Sequence, residues 1–265
     1  MENSIIAVII GLVEGLTEFL PISSSSHLAL LGELLHFTGP KAATFEIVIQ
    51  LGAILAVVTV YWSKFWGLLN FSRSKSFAGW RGIWLLILTT APVCIVGLLL
   101  HSVIKKYLFG PESIFYALIT GAICMILTDC RKYEPVCDNF DKITPKIAFC
   151  VGLGQCLALW PGFSRSASTI MAGLLVGMKR SVAVQYSFIA AVPVMFAAAG
   201  YDVLRNFSIF EFSDLSFFLY GTISAYLAAL CAIRFFITLL GKITLIPFAI
   251  YRFAFAGLVY YFLLK

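Results

Sequence analysis

The chain has 265 residues, 61% of them hydrophobic and only 12% charged, with a formal net charge of +6 and a mean hydropathy of +0.96. Soluble domains are about half apolar and a quarter charged, so the composition excludes a soluble globular protein and points to an integral membrane one. The basic residues sit in loops between apolar segments rather than along one stripe, which excludes a nucleic-acid site and fits membrane topology instead.

In chain order, the first apolar piece covers about residues 4 to 20. Glu2 precedes it, Glu14 and Glu18 interrupt it and no basic leader stands before it, so it is expected to stay on the mature protein rather than act as a signal peptide. Six segments have the length a bilayer requires: 45–62, 82–101, 113–129, 182–200, 216–240 and 243–264. Shorter apolar pieces at about 4–20, 28–37, 147–160 and 167–178 are paired around two serine-rich loops, "PISSSSH" and "PGFSRSAST". Each pair is expected to form a re-entrant helical hairpin, about 4–37 and 147–178. Irregular backbone at membrane depth survives only where it is buried or lines a wet cavity, so two such loops predict a cavity.

The expected fold is therefore an all-α polytopic membrane protein, six transmembrane helices plus two re-entrant hairpins, with residues 1–265 forming one membrane domain. Pro21 precedes one serine cluster and "FEIVIQLGAILAVV" starts at Phe45; Pro161 precedes the other and "YSFIAAVPVMFAAA" starts at Tyr186. The common offset predicts pseudo-repeats of about 1–129 and 130–265. With three crossings in each, they are inverted in topology. If each hairpin returns to its side of entry, eleven basic residues share one side: Lys64, Arg73, Lys75, Arg81, Arg131, Lys132, Lys142, Lys146, Lys179, Arg180 and Lys242. Five share the other: Lys41, Lys105, Lys106, Arg205 and Lys265. The excess marks the first side as cytoplasmic, which places both termini outside.

The seven cysteines, Cys94, Cys124, Cys130, Cys137, Cys150, Cys156 and Cys231, include no CxxC pair or metal-ligand spacing and read as small core residues. The chemistry is expected elsewhere. Glu14 and Glu18 lie four residues apart, on one helix face, about 6 Å apart at Cβ. Such carboxylates must share a proton, pair with a cation or bind a metal. The serines at 23–26 suit helix N-caps, whereas His27, at a helix start close to two carboxylates, suits a nucleophile or general acid. In the second loop Ser164, Ser166, Ser168 and Thr169 surround Arg165 at the start of another helix. There a dipole end and free N–H groups favour an anion and a guanidinium fork matches phosphate oxygens. Carboxylates facing an anion need a divalent cation between them, so the two loops together describe phosphoryl chemistry at a membrane. Glu46 and Gln50 are candidate supporting residues, and Arg234 and Arg252 are expected to pair internally or reach an interface.

At these stretches, "GLVEGLTEFLPISSSSHLALLG", "FEIVIQLGAILAVV" and "WPGFSRSASTIMAGLLVGM", the chain resembles the bacterial undecaprenyl pyrophosphate phosphatases, also called bacitracin resistance proteins. The resemblance implies hydrolysis of undecaprenyl pyrophosphate to the monophosphate, dependent on a divalent cation (Mg or Ca), recycling the lipid carrier of cell-wall synthesis in the bacterial cytoplasmic (inner) membrane. Bacitracin would act indirectly, by binding the substrate. Carried over, Glu18, Ser24, His27, Ser164, Arg165 and Thr169 are the catalytic candidates, and Glu14 and Glu18 the metal candidates. Ser24, His27 or an activated water remain open as nucleophile. Membrane lipids and a second copy of the chain are further expected partners. The alternative reading is a polyprenyl-phosphate flippase or ion-coupled transporter, since inverted repeats around a midplane site also build carriers.

Overall fold

The computed structural model describes residues 2–71, 76–131, 134–205, 214–240 and 243–265. Arg73, Lys75, Lys132 and Lys242, which enter the charge count above, lie outside the described residues. Among the described residues the architecture is all-helical. In order the α-helices are α1 (Glu2–Thr17), α2 (Ser24–Leu34), α3 (Pro40–Val60), α4 (Trp62–Leu68), α5 (Gly79–Leu99), α6 (His101–Tyr107), α7 (Pro111–Cys130), α8 (Pro145–Gln155), α9 (Arg165–Leu175), α10 (Arg180–Arg205), α11 (Leu215–Leu240) and α12 (Ile246–Val259).

Six stretches are long and apolar enough to cross a membrane: Pro40–Val60, Gly79–Leu99, Pro111–Cys130, Arg180–Tyr201, Leu215–Ile237 and Ile246–Leu264. They coincide with the six segments expected from the sequence, and the chain is a multi-pass membrane protein. The first begins five residues before Phe45, because Gly39 and Pro40 start the helix: proline at the first helical position lacks an N–H that would go unpaired anyway. The same device opens α7 at Pro111 and α8 at Pro145. The short helices α4 and α6 extend from the ends of α3 and α5, where the sequence reading placed only connectors.

The helices α2, α8 and α9 have 11 residues each, about 17 Å at 1.5 Å per residue, against a hydrocarbon thickness of about 30 Å. None of the three can span. The helix α1 lies along α11, α11 along α3, and α3 along α10; α8 lies against α5 and α9, while α7 pairs with α12. With no hydrophobic drive between helices in lipid, such pairs depend on close backbone approach at small residues. Gly15 shows this, since a Cβ there would sit 2.3 Å from the carbonyl oxygen of Ala225 on α11. Outward faces carry exposed Trp62, Trp66, Trp80 and Trp84, whereas Phe19, Phe163, Phe188 and Tyr186 close the interior around the two serine loops.

Candidate functional site

The two loops turn in the same way. Ser23 and Ser164 are the N-caps of α2 and α9, with φ of 73° and 80°. Non-glycine residues adopt this left-handed region only when their surroundings hold them there. Each caps its helix through its side chain: Ser23 Oγ accepts from the N–H of Ser26 at 3.4 Å, and Ser164 Oγ accepts from that of Ala167 at 3.2 Å. The other first-turn amides of a helix have no partner within it, which suits an anion at these two helix starts. Ser166 Oγ donates to the carbonyl of Leu20 at 2.7 Å, fastening one loop to the other.

Between the loops lies a cavity of about 160 Å³, lined by Glu18, Ser24, Gln50, Trp160, Ser164 and Arg165 among others. Across it Arg165 Nη2 donates to Glu18 Oε1 at 2.9 Å, while Ser24 Oγ donates to Glu18 Oε2 at 2.6 Å. One carboxylate thus holds a guanidinium from the second loop and a hydroxyl from the first. Arg165 is steered from behind by α10: its Nη1 donates to the carbonyl of Ser187 at 3.0 Å, and its guanidinium carbon lies 5.7 Å from the Phe19 ring centre. Its Nε–H has no partner.

Of the sequence candidates, Glu18, Ser24, Ser164 and Arg165 meet at the cavity. Thr169 stands one turn behind Arg165, donating to the Arg165 carbonyl at 2.9 Å and exchanging a hydrogen bond of 2.6 Å with Ser187 Oγ. His27 does not line the cavity. Its Nδ1 lies 2.7 Å from the carbonyl of Ser23 and its Nε2 2.7 Å from the Tyr251 hydroxyl, with the ring stacked on Phe255 at 3.9 Å. A carbonyl only accepts, so Nδ1 carries the proton and Nε2 accepts from Tyr251. Glu14 is fully buried one turn before Glu18, and neither of its carboxylate oxygens has a hydrogen-bond partner. Gln50, left between two readings by the sequence, lines the cavity; Glu46 is half-buried on the same helix.

Glu14 and Glu18 are the carboxylates that could hold a divalent cation, although among the described residues no group of three or more His, Cys, Asp or Glu side chains gathers at one point. A buried carboxylate without a partner is costly unless a cation or proton joins it, and both oxygens of Glu14 are open. Each oxygen of Glu18 already accepts one hydrogen bond, which leaves lone pairs for a second interaction.

Sequence reasoning missed Ser187 and Tyr251; Arg252, expected to pair internally or reach an interface, is bonded internally to backbone carbonyls. Ser187 had a signal, since it follows Tyr186 as Glu46 follows Phe45 in the repeat expected from the sequence. Tyr251 and Arg252 lie in an apolar helix with no motif around them.

Comparison with known proteins identifies the family. The chain is 58% identical over 265 residues, all of both chains, to an undecaprenyl-diphosphatase of Desulfovibrio desulfuricans. It is 56% identical over 263 residues, 99% of each chain, to one of Nitratidesulfovibrio vulgaris. To one of Lawsonia intracellularis it is 53% identical over 257 residues, 96% of each. Residues 7–258, which include both serine loops, the cavity and the helix that carries Arg252, match the family described as "Bacitracin resistance protein BacA", and the chain belongs to that family.

Proposed function

We propose that this protein is an undecaprenyl-diphosphatase, hydrolysing undecaprenyl pyrophosphate to undecaprenyl phosphate and inorganic phosphate. The observation that carries the reading is the Ser24–Glu18–Arg165 array on the cavity wall, in a chain whose full-length relatives bear that name. Its cellular role is to return the lipid carrier to cell-wall synthesis, which would confer bacitracin resistance by removing the form that the antibiotic binds.

In this reading the pyrophosphate enters the cavity while the prenyl chain stays among helices or lipid. Arg165 and the first-turn amides of α2 and α9 hold phosphate oxygens as charge develops. Ser24 is the favoured nucleophile: it lines the cavity and already donates to Glu18, which would take its proton. Its Oγ bonds to the outer phosphorus, the P–O bond of the anhydride breaks, and the lipid monophosphate leaves. Water then attacks the phosphoserine and gives up a proton to the site as the serine oxygen regains one, releasing inorganic phosphate. His27 would hold the backbone of Ser23, and Thr169 would fix Arg165 through Ser187. Glu14 and Glu18 would hold magnesium or calcium, which when bound neutralises the phosphate charge.

The membrane reading is an inner-membrane domain over 1–265 with hairpins at about 4–37 and 147–178, inverted repeats and external termini. Reciprocal packing supports the repeat: α1 of the first half lies on α11 of the second, and α8 of the second lies on α5 of the first. A homodimer is a further part of this reading.

The test is phosphate release from undecaprenyl pyrophosphate by purified protein in detergent, with magnesium, calcium or chelator, beside Glu18→Gln and Arg165→Ala. Cation-dependent release lost in both variants is the expected result. No release by folded wild-type protein with any cation would overturn the reading.

A further inference from the structure

Arg252 on α12 is a completely buried guanidinium that makes no ion pair with a carboxylate among the described residues. Its Nη1 donates to the carbonyl of Phe163 at 2.8 Å and reaches that of Pro21 at 3.5 Å; its Nη2 donates to the carbonyl of Gly162 at 2.9 Å. The other side of the fork is anchored to α7, with Nε on the Leu118 carbonyl at 3.1 Å and Nη2 on that of Ala117 at 3.0 Å. One cation therefore gathers three carbonyls from the crests of both serine loops. Helix α7 comes close enough to allow this only because residue 121 is glycine: a Cβ there would lie 2.3 Å from Nη2.

The peptide bond is planar and trans, so each N–H points opposite to its carbonyl. Turning the carbonyls of Phe163 and Pro21 onto Arg252 turns the N–H groups of Ser164 and Ile22 the other way, and Ser164 lines the cavity. Gly162 also lines it, and its carbonyl, which would repel a phosphate, is occupied by Arg252. We infer that Arg252 is a positioning residue: it clips the two serine loops together and keeps their carbonyl oxygens off the anion, so that the cavity presents the Ser164 N–H to the pyrophosphate without Arg252 touching it. A lysine ammonium offers three donors from one point, whereas a planar fork of five N–H donors reaches the α7 carbonyls on one side and the loop carbonyls on the other.

This inference rests on the phosphatase reading, and the test separates the two. Arg252→Lys keeps the charge and loses the fork; Gly121→Ala keeps the arginine and displaces it. For wild type and both variants, kcat and KM for undecaprenyl pyrophosphate are measured in detergent, with thermal unfolding and binding of inorganic pyrophosphate read in parallel. Expected is a folded protein with kcat lowered about a hundredfold, the scale of a 1 Å misplacement, and with inorganic pyrophosphate binding weakened and KM raised alongside it. A folded variant of either kind with wild-type kcat overturns the clip, as does failure of both to fold, which would make Arg252 a folding element. A wild-type protein that binds pyrophosphate but releases no phosphate sinks the phosphatase reading instead, and the clip is then judged on pyrophosphate binding by the variants.

Discussion

Glu18 and Arg165 stand 147 residues apart in the chain and 2.9 Å apart in the structure, the two loops' charges closing on each other across the cavity. With the side chains only 8% and 12% exposed, the pair is shielded from water, and removing one partner strands the other. Breaking a buried pair costs about 3–5 kcal/mol. Arg165→Lys retains a charge but not the fork, so kcat/KM should fall by at least about a hundredfold while the protein still unfolds cooperatively in detergent. Glu18→Gln combined with Arg165→Lys should cost clearly less than the sum of the two single changes, because both act on one contact. Additive losses in a double-mutant cycle would mean the two residues work separately.

Ser24 donates its hydroxyl proton to Glu18 at 2.6 Å. Rapid acid quench of wild type with substrate labelled in the outer phosphate should trap label on the protein, and peptide mapping should place it at Ser24. Ser24→Ala should lose the label and lower kcat by at least about a hundredfold. Label trapped on His27, or turnover without any label, would assign the attack to the imidazole or to water.

Glu14 offers two buried oxygens with no partner. Wild-type protein should gain thermal stability on adding magnesium or calcium, by about 2.7 kcal/mol when the cation stands at a hundred times its Kd. Glu14→Gln keeps the shape and removes the charge, so it should fold at least as stably without cation and lose that gain. An undiminished gain in the variant would place the cation elsewhere.

Tyr251 donates to His27 Nε2. Tyr251→Phe should lower stability by about 1 kcal/mol, the worth of one hydrogen bond, and should move the Nε2 nitrogen resonance of His27 while Nδ1–H, held by the Ser23 carbonyl, stays protected. A stationary Nε2 signal would reveal another donor.

Asp129, nearly buried, accepts from Arg180 and from the N–H of Leu245, joining the end of α7 to the starts of α10 and α12. Asp129→Ala should destabilise the protein by about 3 kcal/mol yet leave phosphate release per folded molecule within about threefold of wild type. A large loss of kcat in folded protein would couple this end of the bundle to the site.

The spans were legible because unbroken apolar runs of bilayer length have few other readings, and the serine loops because proline, serine and arginine are out of place in such runs. Their meeting was legible only through complementary charge. What stayed hidden depended on three-dimensional closure. Arg252 looks in sequence like any late arginine, and its partners are backbone carbonyls, which carry no residue-specific trace. Ser24 and His27 look equally able to act until the structure shows one bonded to Glu18 on the cavity wall and the other enclosed by Tyr251, Phe255 and Ser23. The start of α3 at Pro40 rather than Phe45 reflects turn chemistry outrunning hydropathy.

The loops belong to helices made early and midway in synthesis, whereas the arginine that gathers them arrives on α12. A ribosome-bound chain in the bilayer would carry every acidic, serine and arginine group of the cavity and still lack the part that brings their backbones into register. A chain truncated before Ile246 therefore keeps the side chains of the cavity and loses the contacts that join its two loops from behind.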